Sequence, residues 1–433
     1  MQSPVFPAVH LPHLDDVPLP EVMRVRLRHK DAAAVPDVEA AVRAEMAKSR
    51  RLRDLPEGAS VAVGVGSRGV ARIPVLARTV IACLKEMKLD PFVVPAMGSH
   101  GGGTAEGQAG VLKKLGVTEE TVGAPVRATM ETVELGRTAD GISCRFDANA
   151  ARADAVVAIA RVKSHTSFDR PVESGLTKMM AVGLGKQAGA RNVHRLGPRG
   201  YIEVLPALGR IGIEKSPIAF GIAVVENSRH ELVHIEGVEP ERFLEADERL
   251  LVRAKELLAR LPFTDIDAMV VERIGKEISG AGMDFAVVGR TDIRGMPNPK
   301  PFIVKLGVLA LTEETGGNGI GLGTADYTTL EAANGCDLKA MYMNSVTSTM
   351  PEKARIPIVL PDEATVLRAL AATSWALDLE SLRWCHIRST LEIDEVLVSR
   401  ALFETVLDHA GVEPLSDAAP YRIGDAGRLL TRV

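Results

Sequence analysis

Aromatic residues are scarce in this chain, at 4% of its 433 residues. A surface that stacks successive nucleic-acid bases needs more of them. An excess of one charge sign is also missing: 52 Lys and Arg stand against 56 Asp and Glu, a formal net charge of -4. No global field steers such a chain toward nucleic acid. Only four cysteines occur, Cys83, Cys144, Cys336 and Cys385, and no two form a C-x-x-C pair. That pattern excludes a disulfide scaffold, an iron–sulfur run and a Cys-based zinc site, and it suits a reducing cytoplasm. No uninterrupted apolar segment reaches membrane-spanning length. The first residues are proline-rich and place Asp15-Asp16 ahead of any basic cluster, unlike a secretory leader. The expectation is a cytoplasmic protein with neither a membrane nor a nucleic-acid partner; a homo-oligomer stays open.

What remains is an ordinary globular composition, 46% hydrophobic and 25% charged, long enough for two or three domains of ~100–200 residues. Prolines 4, 7, 12, 18 and 20 make residues 1 to 21 an extended arm. Val22 to Leu27 alternates as an early strand. Ser60 to Val65 reads as a strand ending at Gly66-Ser67-Arg68-Gly69, and a helix follows from Pro74 through Leu84. Phe92 to Pro95 is a strand that runs into Ser99-His100-Gly101-Gly102-Gly103, with Thr104 as the cap of the next helix. Ala155 to Ala160 repeats the theme before a long polar loop. Leu176 to Leu184 and Tyr201 to Leu208 read as helices, Ile218 to Val225 as a strand, and Pro240 to Leu261 as a helix stopped by Pro262. A second α/β region starts at Ala268, and its last part reads as a strand to Ile387 and a helix from Asp394 to His409. Alternating strands and helices imply a mainly parallel, covered sheet. The fold class is α/β in two α/β domains, residues 1–262 and 263–433.

Ionisable residues gather in four places. Arg68, after a strand end, suits a carboxylate held by two hydrogen bonds. The glycine run after Ser99-His100 lets backbone amides converge at a helix start, an anion cradle with a histidine in it. The stretch Val156 to Arg195 carries Lys163, His165, Asp169, Lys178, Lys186, Arg191 and His194. His165 and His194 suit a proton-transfer pair, or a metal ligand plus a base. A desolvated Lys178 would be a nucleophile, with Lys186 and Lys163 as competitors; the bland alternative has His165 capping a strand end and Lys178 snorkelling. Lys276-Glu277 and Met283-Asp284 form the fourth group, in either a substrate-facing or an ion-paired turn. His230 and His234 have helical spacing, but strand-like Leu232-Val233 argues against a helical metal pair.

The segments Ala96-Met97-Gly98-Ser99-His100-Gly101-Gly102, Gly175-Leu176-Thr177-Lys178 and Arg191-Asn192-Val193-His194 resemble the nickel-dependent lactate racemase superfamily, of which the chain looks like a divergent member. Gly275 to Asp284 resembles a subgroup related to it. The resemblance implies two α/β domains enclosing an interdomain active-site cleft. It implies a nickel-pincer nucleotide bound covalently to Lys178, with His194 completing the nickel coordination. His100 and His165 match the acid/base pair. Arg68 matches the substrate arginine, and Lys276 is the choice for a second substrate cation. Ser99, Gly101, Gly102 and Asp169 are expected at the cofactor. The implied activity is racemisation or epimerisation of a 2-hydroxy acid by reversible hydride transfer, with cofactor-synthesis enzymes as loading partners. The segment around Arg68 lacks the family's acidic residue, threonine and proline, and glycines replace Arg-Pro after His100; a substrate other than lactate is therefore expected. The alternatives are a cofactor-independent lyase or isomerase of a sugar acid, and a non-catalytic carrier of the nucleotide.

Overall fold

The computed structural model describes residues 5–67, 69–165 and 168–433. The architecture is α/β with mixed sheets, divided into two compact units. One unit spans Lys30–His165 and Asp169–Leu258; the other contains the residues before Lys30 and Ala259–Val433. The chain's first strand, β1 (Met23–Leu27), thus belongs to the sheet built by its last part rather than to the residues that follow it. Its pattern explains why. Met23, Val25 and Leu27 face the core, while Arg24 and Arg26 point outward to Glu395.

The Lys30–Leu258 unit carries β2 (Ser60–Val65), β3 (Asp90–Pro95), the hairpin β4 (Thr132–Arg137) and β5 (Ser143–Asp147), β6 (Ala155–Arg161), β7 (Ile218–Glu226) and β8 (Leu232–Val238). The main sheet has the order β3-β2-β6-β7-β8, parallel except for β8. Both faces are covered. Val61, Val63 and Val65 of β2 enter one core and Ala62 the other; β6 divides in the same way, with Val157 and Ile159 on one side and Val156 and Ala158 on the other. Near-continuous apolar strands are what a sheet buried on both faces requires. Each fully buried valine or leucine contributes ~1.5–3 kcal/mol relative to exposure. From β2 the chain moves outward to β3 and then returns to the opposite side of β2 with β6. The carboxyl ends of β2 and β6 therefore flank a switch point, the position where open α/β sheets hold ligands.

The helices that matter for the site are α1 (Ile73–Glu86), α2 (Ala105–Lys114), α3 (Leu176–Lys178), α4 (Lys186–His194), α5 (Leu205–Lys215) and α6 (Phe243–Glu256). Thr104 caps α2 through Gly107 N at 3.1 Å. The expected helix from Leu176 to Leu184 is instead one α turn followed by a π-helical turn, Met179–Gly183. A second π turn, Gly200–Val204, opens the segment expected to be helical from Tyr201. The helix expected from Pro240 to Leu261 begins with a 3-10 turn and ends at Glu256, before its proline.

In the other unit, β9 (Asp265–Ile274), β10 (Phe302–Leu311), β11 (Tyr327–Thr329), β12 (Ile358–Leu360) and β13 (Trp384–Ile387) are parallel, and β14 (Glu395–Val398), β1 and β15 (Val412–Pro414) add antiparallel strands. The helix expected from Asp394 to His409 is corrected here. Val396 and Val398 pair as a strand, and only Arg400–Glu404 is helical, started by the Ser399 hydroxyl on Leu402 N. Among the described residues no helix is long and apolar enough to cross a membrane.

Candidate active site

A cavity of about 170 Å³ opens at the β2/β6 switch point. Gly66 and Ser67 reach it from the end of β2, Met97 to His100 from the end of β3, and Ile159 to His165 from the end of β6, apart from Val162 and Ser164. Lys178, Met179, Val182 and Gly183 come from α3 and the π turn, and His194 from the last turn of α4. His100, His165, Lys178 and His194 thus share one cavity, although 94 positions separate the first from the last. Ser99 lines it as well.

Gly101, Gly102, Asp169 and Lys276 have other settings. Gly101 and Gly102 do not line the cavity, whose β3 wall stops at His100. Gly101–Gly103 form a 3-10 turn with φ of 65, 69 and 68°. A Cβ on Gly101 would lie 2.5 Å from the Gly107 carbonyl carbon, so the run serves a tight turn packed on α2. Asp169 also stays off the cavity wall; its exposed carboxylate pairs with Lys255 at 2.6 Å. Lys276 lies in the other unit, where its Nζ donates to Asn344 Oδ1 at 2.6 Å and its amide to Thr315 Oγ1. Arg68 lies outside the described residues.

The competition among the lysines is decided in part by burial. Lys163 lines the cavity with Lys178. Lys186 does not; it is fully buried and ion-paired with Asp147 at 2.8 Å. His230 and His234 flank and occupy β8, each against a carboxylate, Glu226 and Glu236.

His100 and His165 are each held by a hydrogen bond. The Ser67 hydroxyl meets His100 Nδ1. The backbone amide of His165 donates to Glu173 Oε2 at 2.5 Å. Arg161 also lines the cavity, but its guanidinium is ion-paired with Glu226. Burial pushes the Glu226 carboxyl up; His230, Arg161 and the Ala71 amide outweigh it and hold it below its ordinary value. Tyr201 was not singled out by sequence. Its buried ring lies 5.9 Å from the ring of His165 and 5.8 Å from that of His194, centroid to centroid. The only signal for it was its position, six residues beyond Arg195, in a segment read simply as helix.

No group of three or more His, Cys, Asp or Glu side chains able to hold a metal ion occurs among the described residues. The cavity offers imidazole donors from His100, His165 and His194 and amine donors from Lys163 and Lys178.

No family model matches the chain, and no curated protein matches it. Among solved structures the chain is similar to the lactate racemase apoprotein from Thermoanaerobacterium thermosaccharolyticum, at 13% identity over 85% of this chain and 89% of that chain, with a TM-score of 0.47. A likeness this distant carries nothing about the site, whose reading stands on its own geometry.

Proposed function

We propose that the protein is a racemase or epimerase of a 2-hydroxy acid, other than lactate, that works with a nickel-pincer nucleotide held at the switch-point cavity. The observation that carries the reading is the convergence of Lys178, His194, His100 and His165 on that one cavity. In this reading the Lys178 amine forms the covalent tether, and an imidazole nitrogen of His194 coordinates nickel. When bound, the cofactor supplies the hydride acceptor and donor that the side chains lack.

The remaining work falls to the protein. Inversion at C2 requires proton exchange with the 2-hydroxyl from either face, hence two acid/base groups. His100 and His165 fill those roles: one imidazole takes the hydroxyl proton and the other returns one to the opposite enantiomer. An imidazole can both accept and donate a proton, so each can act in both directions. The Ser67 hydroxyl holds His100 at Nδ1, so exchange runs through Nε2. Lys163 gives the cavity a second cation beside the tether, and Arg68 is retained as the carboxylate-binding arginine.

The test is intact-protein mass spectrometry with metal analysis on protein co-produced with the cofactor-synthesis enzymes. The expected result is a nucleotide-sized adduct that maps to Lys178, with near-stoichiometric nickel, absent from Lys178→Ala. Loaded protein should invert chiral 2-hydroxy acids, and His100→Ala or His165→Ala should stop turnover while keeping the adduct. An unmodified Lys178 beside a loaded control enzyme would overturn the reading.

A further inference from the structure

Helix α6 reaches the site segments from behind at two points. Near its start, the buried Asp247 accepts the amide hydrogen of Leu176 at 2.9 Å with Oδ1 and that of Thr177 at 2.7 Å with Oδ2. Those are the first amides of α3, the turn that carries Lys178. Such amides are normally satisfied by the side chain of the helix's own N-cap residue. Here the N-cap is Gly175, which has none, and a Cβ there would lie 2.1 Å from Asp247 Oδ1. Gly175 itself lines the cavity. The cap is therefore delivered from another helix, through space that only glycine leaves open.

Two turns along, about 12 Å by helical rise, Lys255 of α6 ion-pairs with Glu173. The Glu173 carboxylate is fully buried. Its Oε2 takes the His165 amide at 2.5 Å and the Ser164 hydroxyl at 3.2 Å, and its Oε1 takes the Arg170 amide at 2.8 Å. One carboxylate thus gathers Ser164, His165 and Arg170 and fixes the backbone of His165. A buried carboxylate is expensive unless charge and hydrogen bonds compensate it. Both anions here are placed where their donors are the backbone of cavity-lining segments.

We propose that α6 is the positioning element of the site, with Asp247 setting Lys178 through the α3 amides and Lys255 setting His165 through Glu173. The functional weight of Lys178 and His165 rests on the reading above; the positioning does not. Asp247, Glu173 and Lys255 are positioning residues, since none lines the cavity.

The experiment uses the full chain without cofactor, so that it reads α6 whether or not Lys178 takes an adduct. Native amine acylation is followed by peptide mass spectrometry, with exposed Lys48 and Lys88 as internal standards, and the His165 imidazole is titrated by NMR. Asp247→Asn should change the Lys178 labelling rate by about threefold or more, the effect of a half-unit change in amine pKa, and leave Lys48 and Lys88 as in the parent. Lys255→Met should displace the His165 titration by about half a unit and leave Lys178 labelling unchanged, and Lys255→Arg should restore it. A merely structural role would alter stability alone. Folded variants in which Lys178 labelling and the His165 titration match the parent would overturn the proposal. Lys255 is partly exposed, so its variants decide the outcome if Asp247→Asn does not fold.

Discussion

Lys186 Nζ lies 2.8 Å from Asp147 Oδ2, and both side chains are fully buried. The ammonium also donates to the Pro95 carbonyl at 2.5 Å and to Gln108 Oε1 at 3.1 Å. Asp147 Oδ1 meanwhile caps the helix Ala148–Arg152 through the amides of Asn149 and Ala150. Burial draws the Lys186 pKa down, and the Asp147 carboxylate beside it pulls it back up. The pair ties the start of α4 to the exit of β3 and to the β4–β5 hairpin. Lys186→Met leaves a buried carboxylate without its cation, which costs ~3–5 kcal/mol. Denaturant unfolding should read that loss, and adding Asp147→Asn should recover part of it. Parent-like stability of Lys186→Met would show that the pair does not hold the fold.

Asp247 gives a pH signature to the same unit. Its carboxyl is pushed up from 3.8 to about 6 by burial, against the pull of the Thr177 and Leu176 amides. The folded protein therefore binds this proton more tightly than the unfolded chain does. The resulting stability is fully present below about pH 4, declines as the pH rises, and is gone above about pH 6. Two units correspond to a swing on the order of 3 kcal/mol. Asp247→Asn cannot titrate, so the stability of the variant minus that of the parent should climb between pH 4 and pH 7. Any altered hydrogen bonding adds a constant offset and leaves the slope intact. Urea unfolding at several pH values measures it; a flat difference would place the Asp247 pKa at its ordinary value.

The strands that build the site were legible because their signal is local. Ser60 to Val65, Phe92 to Pro95 and Ala155 to Ala160 are apolar runs that end in glycine or charge, and they fold as β2, β3 and β6 with small changes of boundary. The convergence of His100, His165, Lys178 and His194 was expected from their residue types and from resemblance, and all four line one cavity. What escaped was long-range. Asp247 is one acidic residue on an amphipathic helix, and nothing near it in sequence says that it caps a turn 70 residues earlier. Tyr201 is set between two imidazoles by a π turn, which has no sequence period of its own. The glycine run shows a local packing demand that composition alone does not reveal. Its composition suits an anion cradle, and Gly101 also packs closely on α2. The segment after Asp394 misled because the short apolar run Val396-Leu397-Val398 suits either a strand or a buried helix until a partner strand is known.

Gly175 and Asp247 can be tested as a pair. A methyl group on Gly175 would lie 2.1 Å from Asp247 Oδ1, far inside contact distance, and the two cannot coexist without a shift of backbone or helix. Overpacking of this kind costs ~1–3 kcal/mol. Asp247→Ala removes the obstructing carboxylate and leaves the Leu176 and Thr177 amides without their acceptor. If the close approach is the reason for glycine, Gly175→Ala should cost markedly less in the Asp247→Ala background than in the parent. The double-mutant cycle should then show coupling of about 1 kcal/mol or more, well above the ~0.3–0.5 kcal/mol expected of independent sites. Additive costs would mean that the approach of Asp247 is not what keeps glycine at position 175, and that the turn bearing Lys178 does not depend on how closely α6 approaches it.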